Sequence, residues 1–161
     1  MLFRSYSKSS NSERFFLFDV DKQVMLHKSL VAHGKNSGQE YARYFSNIPE
    51  TKKSSMGFHI TAESYYGMHG LSMRMDGVEP RFNGNVRKRD IVMHSADYVS
   101  QKFIAEHNRL GRSWGCPTYS AQHTRGTAAI TVMTNRVLCF MVQSCAVRPT
   151  VPDTRLDPRC P

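Results

Sequence analysis

The 161-residue chain contains no apolar run long enough to span a membrane. Nor does it open on an export signal: Met1-Leu2-Phe3-Arg4-Ser5-Tyr6 turns polar at once, without the apolar core of a secretory leader. These absences exclude a protein with helical membrane spans and leave two expectations, a cytoplasmic protein or a chain without its export segment. Cysteine is scarce and unevenly placed. Cys116 is the first, and Cys139, Cys145 and Cys160 follow in the last quarter, so there is no disulfide framework and no CxxC pair for structural zinc. The seven histidines form no HxH or HExxH spacing. His33, His59 and His69 therefore read as turn or surface histidines, and no metal or other cofactor is expected. Lysine is missing after Cys116; all eight precede it.

What is present describes one folded domain, with 40% hydrophobic and 22% charged residues. The net charge of +9 favours an anionic partner, which leaves nucleic acid, cell-wall polymer or a membrane surface open. The short clusters Lys52-Lys53 and Arg87-Lys88-Arg89 read as solvated basic surface rather than a nucleic-acid groove, so no nucleic-acid partner is expected. Phe15 to Val20 reads as a strand, Asp21-Lys22 as a turn and Val24 to Ala32 as a returning strand. Residues 33 to 55 read mostly as loop, and 56 to 64 as a strand. Leu71-Ser72-Met73-Arg74-Met75-Asp76 alternates apolar and polar residues, the pattern of a half-buried strand.

Asp90-Ile91-Val92-Met93 predicts a short buried strand with His94 at its end. A helix follows, capped by Ser95, with Ala96, Val99, Phe103 and His107 on one face and Gly111 as its terminator. Beyond Cys116, residues 128–133 and 137–142 read as strands and 148–161 as a disordered tail. The abrupt change of composition there marks either a linker or tail, or a coding sequence that has left its reading frame.

Gly111-Arg112-Ser113-Trp114-Gly115-Cys116-Pro117 carries the chemistry. A cysteine framed by Gly and Pro belongs on a tight turn, where its sulfur can be presented to a ligand. Such a thiol becomes nucleophilic when a neighbouring imidazole removes its proton, and His94 is a candidate partner. A helix and a returning loop allow residues 94 and 116 to meet without requiring it. The amides of Gly115 and Cys116 are candidate oxyanion donors. Ser113 reads either as a support for the turn or as an ordinary loop serine, and Trp114 either as a cleft wall or as packing.

From about Glu13 to Pro117, roughly two-thirds of the chain, the sequence resembles the murein L,D-transpeptidase catalytic domain, in the GRSxGCP branch of the YkuD-like superfamily. The matching segments run in order. They are Val31 to Gly38, Phe45-Ser46-Asn47, Lys53 to Gly57, Tyr65-Tyr66-Gly67, Gly70 to Gly77, Arg87 to His94 and Gly111 to Pro117. The resemblance implies a mainly β fold with one supporting helix, a β-sandwich or barrel, expected to be incomplete at its C-terminal end. It divides the chain into a flexible segment 1–12, a catalytic domain 13–117, a divergent stretch 118–147 and the tail 148–161.

The resemblance also implies a cysteine acyltransferase working on peptidoglycan stem peptides outside the cytoplasmic membrane, in the periplasm or extracellular wall. Cys116 would be the nucleophile and His94 the base, with the Ser95 carbonyl fixing the imidazole tautomer. The commoner family motif places an arginine two residues after the cysteine, where this chain has Thr118. Carboxylate recognition then has to come from elsewhere; Arg112 and Arg74 are candidates, each also readable as a surface or structural arginine. Two further readings share this fold, an L,D-carboxypeptidase in which water resolves the acyl-enzyme and a non-catalytic cell-wall binder.

Overall fold

Aromatic and β-branched residues, which fit a pleated and half-buried surface, fall where the chain pairs into strands. A computed structural model describes residues 1–120 and 138–142, with 39% strand and 12% helix, the mainly β fold expected. The strands are β1 (Leu2–Ser5), β2 (Phe15–Asp19), β3 (Val24–Ser29), β4 (Val31–Ala32), β5 (Gly57–Gly67), β6 (Gly70–Gly77), β7 (Val92–Ala96), β8 (Thr118–Ser120) and β9 (Leu138–Val142). The helices are α1 (Pro80–Asn83), a single turn, and α2 (Gln101–His107); a 3-10 turn spans Lys35–Ser37.

The strands form one sheet in the order β3-β2-β1-β9-β5-β6-β7-β8-β4. Its two edges are consecutive in the chain, since β3 ends at Ser29 and β4 starts at Val31. The sheet therefore curls until its edges meet through Leu30, as a sandwich or barrel requires. Buried Arg14 ties this seam: Nε and a terminal nitrogen donate to Val31 O at 3.1 and 2.9 Å, and the Arg14 amide donates to Ser29 O. Burial lowers the Arg14 pKa to about 10.

The main core holds Leu2, Tyr6, Phe15, Leu17, Met73, Met75, Ile91 and Met93, with Cys116 packed against it. A smaller one, Leu30, Ala32, Val99 and Leu110, lies under α2. Met73 and Met75 are buried and Arg74 is not, as alternation along β6 predicts, but Ser72 is buried beside Met73 against that pattern.

Four expectations change. Leu2–Ser5, expected within a flexible segment, is a strand paired antiparallel to β2 and parallel to β9. The returning strand 24–32 is broken at Leu30, which turns into the smaller core. The helix begins five residues later than expected, because Ser95 and Ala96 stay in β7, paired with Tyr119 and Ser120. Ser100 is the cap, its side chain accepting from the Phe103 amide, and Asn108 ends the helix in the left-handed conformation at φ 56°. Gly111 has another task. A Cβ there would lie 2.5 Å from the Tyr98 side chain, so glycine allows the close approach that lets its amide donate to Tyr98 O. The strand expected at 137–142 is β9. Those at 128–133, and the tail 148–161, lie outside the described residues.

Candidate active site

The segment 33 to 55, read as loop, is the platform on which the cysteine turn rests. Ser113 N–H donates to His33 O and Lys35 N–H to Ser113 O, at 2.9 and 2.7 Å. Ser54 Oγ accepts from Gly34 N–H and donates to Gly115 O, while its own amide donates to Ser37 Oγ. His33 beneath is fully buried, not a surface histidine. A guanidinium only donates, so the 2.7 Å contact with Arg14 makes His33 Nδ1 an acceptor and leaves the proton on Nε2, facing Gly38 O. Burial and the Arg14 charge lower the His33 pKa to about 3. His59 is likewise buried, with a pKa lowered to about 3 by burial and the charge of Arg4.

Within the turn, Ser113 Oγ accepts from Gly115 N–H at 3.1 Å and donates to Cys116 O. This commits the Gly115 amide, expected as an oxyanion donor, to the turn itself and leaves the Cys116 amide as the candidate. Gly115 has φ 127°, and a Cβ there would sit 2.7 Å from Ile91 Cδ1 and 2.9 Å from Lys53 O, so the position requires glycine. Trp114 does not pack into the core. It is 72% exposed, with Lys52 Nζ 4.6 Å from the ring centre.

β7 and β8 pair in parallel with His94 opposite Thr118, two residues beyond Cys116. His94 lies inside β7 rather than at its end, and is buried. Its Nδ1 lies 2.9 Å from Ser95 O; a carbonyl only accepts, so Nδ1 carries the hydrogen. Nε2 then holds the lone pair and faces Thr118 Oγ1 at 3.2 Å, which in turn receives the Tyr98 hydroxyl at 3.3 Å. Cys116 Sγ accepts from Val92 N–H at 3.5 Å and donates to Asp90 O at 3.6 Å. Burial raises the thiol pKa, against the lowering effects of the Val92 amide and Arg89. Burial lowers that of His94, and His69 adds to the lowering. Both groups therefore rest uncharged at neutral pH.

The structure thus bonds Ser95 O to His94 and Ser113 to Gly115 and Cys116 within the turn, and it sets His94 on the strand beside the one that leaves that turn. Cys116 Sγ itself bonds to Val92 and Asp90 rather than to the imidazole. The structure does not aim the two candidate arginines at these groups. Arg112 donates to Lys35 O and Gly38 O. Arg74 pairs with Asp90 and Glu63 and lies over the Tyr65 ring. Three residues gain importance that sequence reasoning did not give them. Thr118, noted only for not being arginine, is the partner of the imidazole. Arg89, read as basic surface, is half-buried and reaches Ser46 O, Ser55 Oγ, Thr51 Oγ1 and Lys53 O. His69, weighed only as a metal ligand, stacks on His94. Among the described residues no group of three or more His, Cys, Asp or Glu is placed to hold a metal ion.

With this geometry in view, the family model of the L,D-transpeptidase catalytic domain matches residues 2–141. The chain belongs to this family. The match takes in β1 and β9 and runs past Pro117, where sequence reading loses the pattern. Comparisons with curated proteins and with solved structures gave no match. Among the described residues no helix of this L,D-transpeptidase domain is long and apolar enough to cross a membrane.

Proposed function

We propose that this L,D-transpeptidase domain is a cysteine acyltransferase acting on peptidoglycan stem peptides in the cell-wall compartment, with Cys116 as nucleophile and His94 as base. The observation that carries the reading is the parallel pairing of β7 with β8. It sets an imidazole of fixed tautomer, its lone pair on Nε2, beside the strand that issues from the cysteine turn.

In the proposed reaction Cys116 Sγ leaves the Val92 amide and the Asp90 carbonyl and attacks the carbonyl before the terminal D-residue. His94 Nε2 takes the thiol proton as the S–C bond forms. The Cys116 amide donates to the developing oxyanion. On collapse the C–N bond breaks, His94 returns its proton to the leaving amine, and a thioester remains on Cys116. An acceptor amine then completes transpeptidation; water would give the carboxypeptidase outcome.

Intact-mass measurement of the protein incubated with a carbapenem tests the reading. A covalent adduct is expected on the native chain and none on Cys116→Ala, and equal labelling of both would sink the assignment. A stem tetrapeptide supplied with and without an acceptor amine separates transfer from hydrolysis.

A further inference from the structure

Beyond the cysteine and its base, one exposed side chain touches the catalytic imidazole. The β5–β6 hairpin closes through Met68 and His69, between the paired Gly67 and Gly70. His69 is exposed, yet its ring lies over that of His94, with centroids 4.3 Å apart and planes inclined by 20°. His94 is held in the plane of its ring by Ser95 O and Thr118 Oγ1. Bonds in the plane leave the two faces of the ring uncovered, and His69 covers one of them. The imidazole of His94 is only 3% exposed although its partner in the stack belongs to a surface hairpin.

We propose that His69 is a positioning residue for the acyl transfer, a lid on the face of His94 whose own charge decides whether His94 can accept the Cys116 proton. This rests on the assignment of Cys116 and His94 as nucleophile and base. A neutral His69 offers a π face to the imidazolium that forms when the thiol proton arrives. A protonated His69 instead sets a like charge against it, screened by water only on the exposed side of His69. Among the described residues, Tyr98 reaches His94 through Thr118, and Arg89 and Asp90 lie beside the thiol. None of them is altered by substitution at His69.

The test uses the full chain and measures the second-order rate of Cys116 acylation by a carbapenem, followed by intact mass across the mildly acidic to neutral range. His69→Phe keeps an aromatic face without a titratable group, and His69→Ala removes both. At neutral pH His69→Ala is expected to acylate roughly two- to tenfold more slowly than wild type, and His69→Phe within about twofold of it. The acid limb of the His69→Phe profile is expected to differ from that of wild type, because the charge that His69 can set against His94 is gone. Superimposable profiles for wild type and His69→Phe, or a wild-type rate for His69→Ala, would overturn the proposal. Failure of the wild type to acylate at any pH would instead remove the nucleophile assignment. The stack is then judged by NMR titration of His94, expected at higher pH in His69→Phe than in wild type; an unchanged titration would overturn it.

Discussion

Gly115→Ala puts the cysteine turn to a direct energetic test. At φ 127° an L side chain is strained, at a cost of about 1–3 kcal/mol. The added methyl also meets Ile91 Cδ1 at 2.7 Å and Lys53 O at 2.9 Å. Ile91 is buried and Lys53 O is already held by Arg89, so neither has room to retreat. Overpacking of this kind costs about 1–3 kcal/mol more, for a total near 2–6 kcal/mol. The assay is urea unfolding of wild type, Gly115→Ala, Ile91→Val and the double variant, read as a double-mutant cycle. Ile91→Val deletes the clashing methyl. It should cost about 0.5–1.5 kcal/mol alone and distinctly less, or nothing, in the Gly115→Ala background. The residual loss in the double variant reports the backbone strain together with the Lys53 O contact. Gly34→Ala is a companion, since Gly34 has an ordinary φ of −65° but its Cβ would lie 3.0 Å from Gly115 Cα and closer still to Lys52 O. A Gly115→Ala protein within about 0.5 kcal/mol of wild type, or additive behaviour with Ile91→Val, would refute the account of the turn.

Stability should fall with acid because His33 and His59 are buried uncharged. Their folded pKa values of about 3 lie below the ordinary 6.5, so the unfolded chain binds more protons between those limits and stability drops as pH falls from 6.5 toward 3. The slope approaches about 1.4 kcal/mol per pH unit for each histidine, and His59→Leu should remove its share; an unchanged slope in urea melts at several pH values would count against it. Arg89→Met strands several carbonyl and hydroxyl acceptors and should destabilise by about 2–4 kcal/mol. It should also raise the pH midpoint of Cys116 alkylation by iodoacetamide, and a midpoint that stays or drops would contradict the electrostatic role of Arg89. Thr118→Val leaves His94 Nε2 and the Tyr98 hydroxyl without their partner, at about 1–3 kcal/mol, and should slow acylation, with Thr118→Ser restoring both; failure of serine to rescue would show that the hydroxyl is not what matters.

Much of the sheet is legible because its signal is local. The Phe-rich run at β2 and the alternation along β6 each announce a strand within a few residues. β1 is not announced: it is four residues long and buries Arg4 completely, the side chain least expected inside. Its neighbour β9 lies more than a hundred residues away in sequence, and no local pattern reports such a pairing. The helix start is misread for a related reason. Ser95 has the chemistry of a cap, but the pairing of β7 with β8 keeps it extended and the cap falls to Ser100. In the site, the cysteine turn and the Ser95 carbonyl were readable from motif residues in order. Arg89 was not, because charge clusters say nothing about which member of the cluster turns inward. Thr118 was read only by what it replaced, whereas its position opposite His94 follows from strand register.

The resting chemistry of the site follows from burial acting in opposite directions on its two groups. Taking a thiol out of water disfavours the thiolate and taking an imidazole out of water disfavours the imidazolium, so the same environment makes each of them neutral. A preformed thiolate–imidazolium pair would need an electrostatic gain larger than both desolvation costs. The groups placed to supply it are limited: Arg89 and the Val92 amide favour the thiolate, Asp90 opposes it, and His69 opposes the imidazolium. On the proposed assignment of Cys116 and His94, nucleophilicity would therefore arise when the substrate arrives. In that proposal a carbonyl docked against the Cys116 amide would draw Sγ out of its contacts with Val92 and Asp90 and let proton transfer to His94 proceed together with bond formation. A thiol kept neutral until that moment is poorly reactive toward adventitious electrophiles, and the selectivity of the site then lies in how well a ligand carbonyl reaches the turn rather than in the intrinsic reactivity of the sulfur.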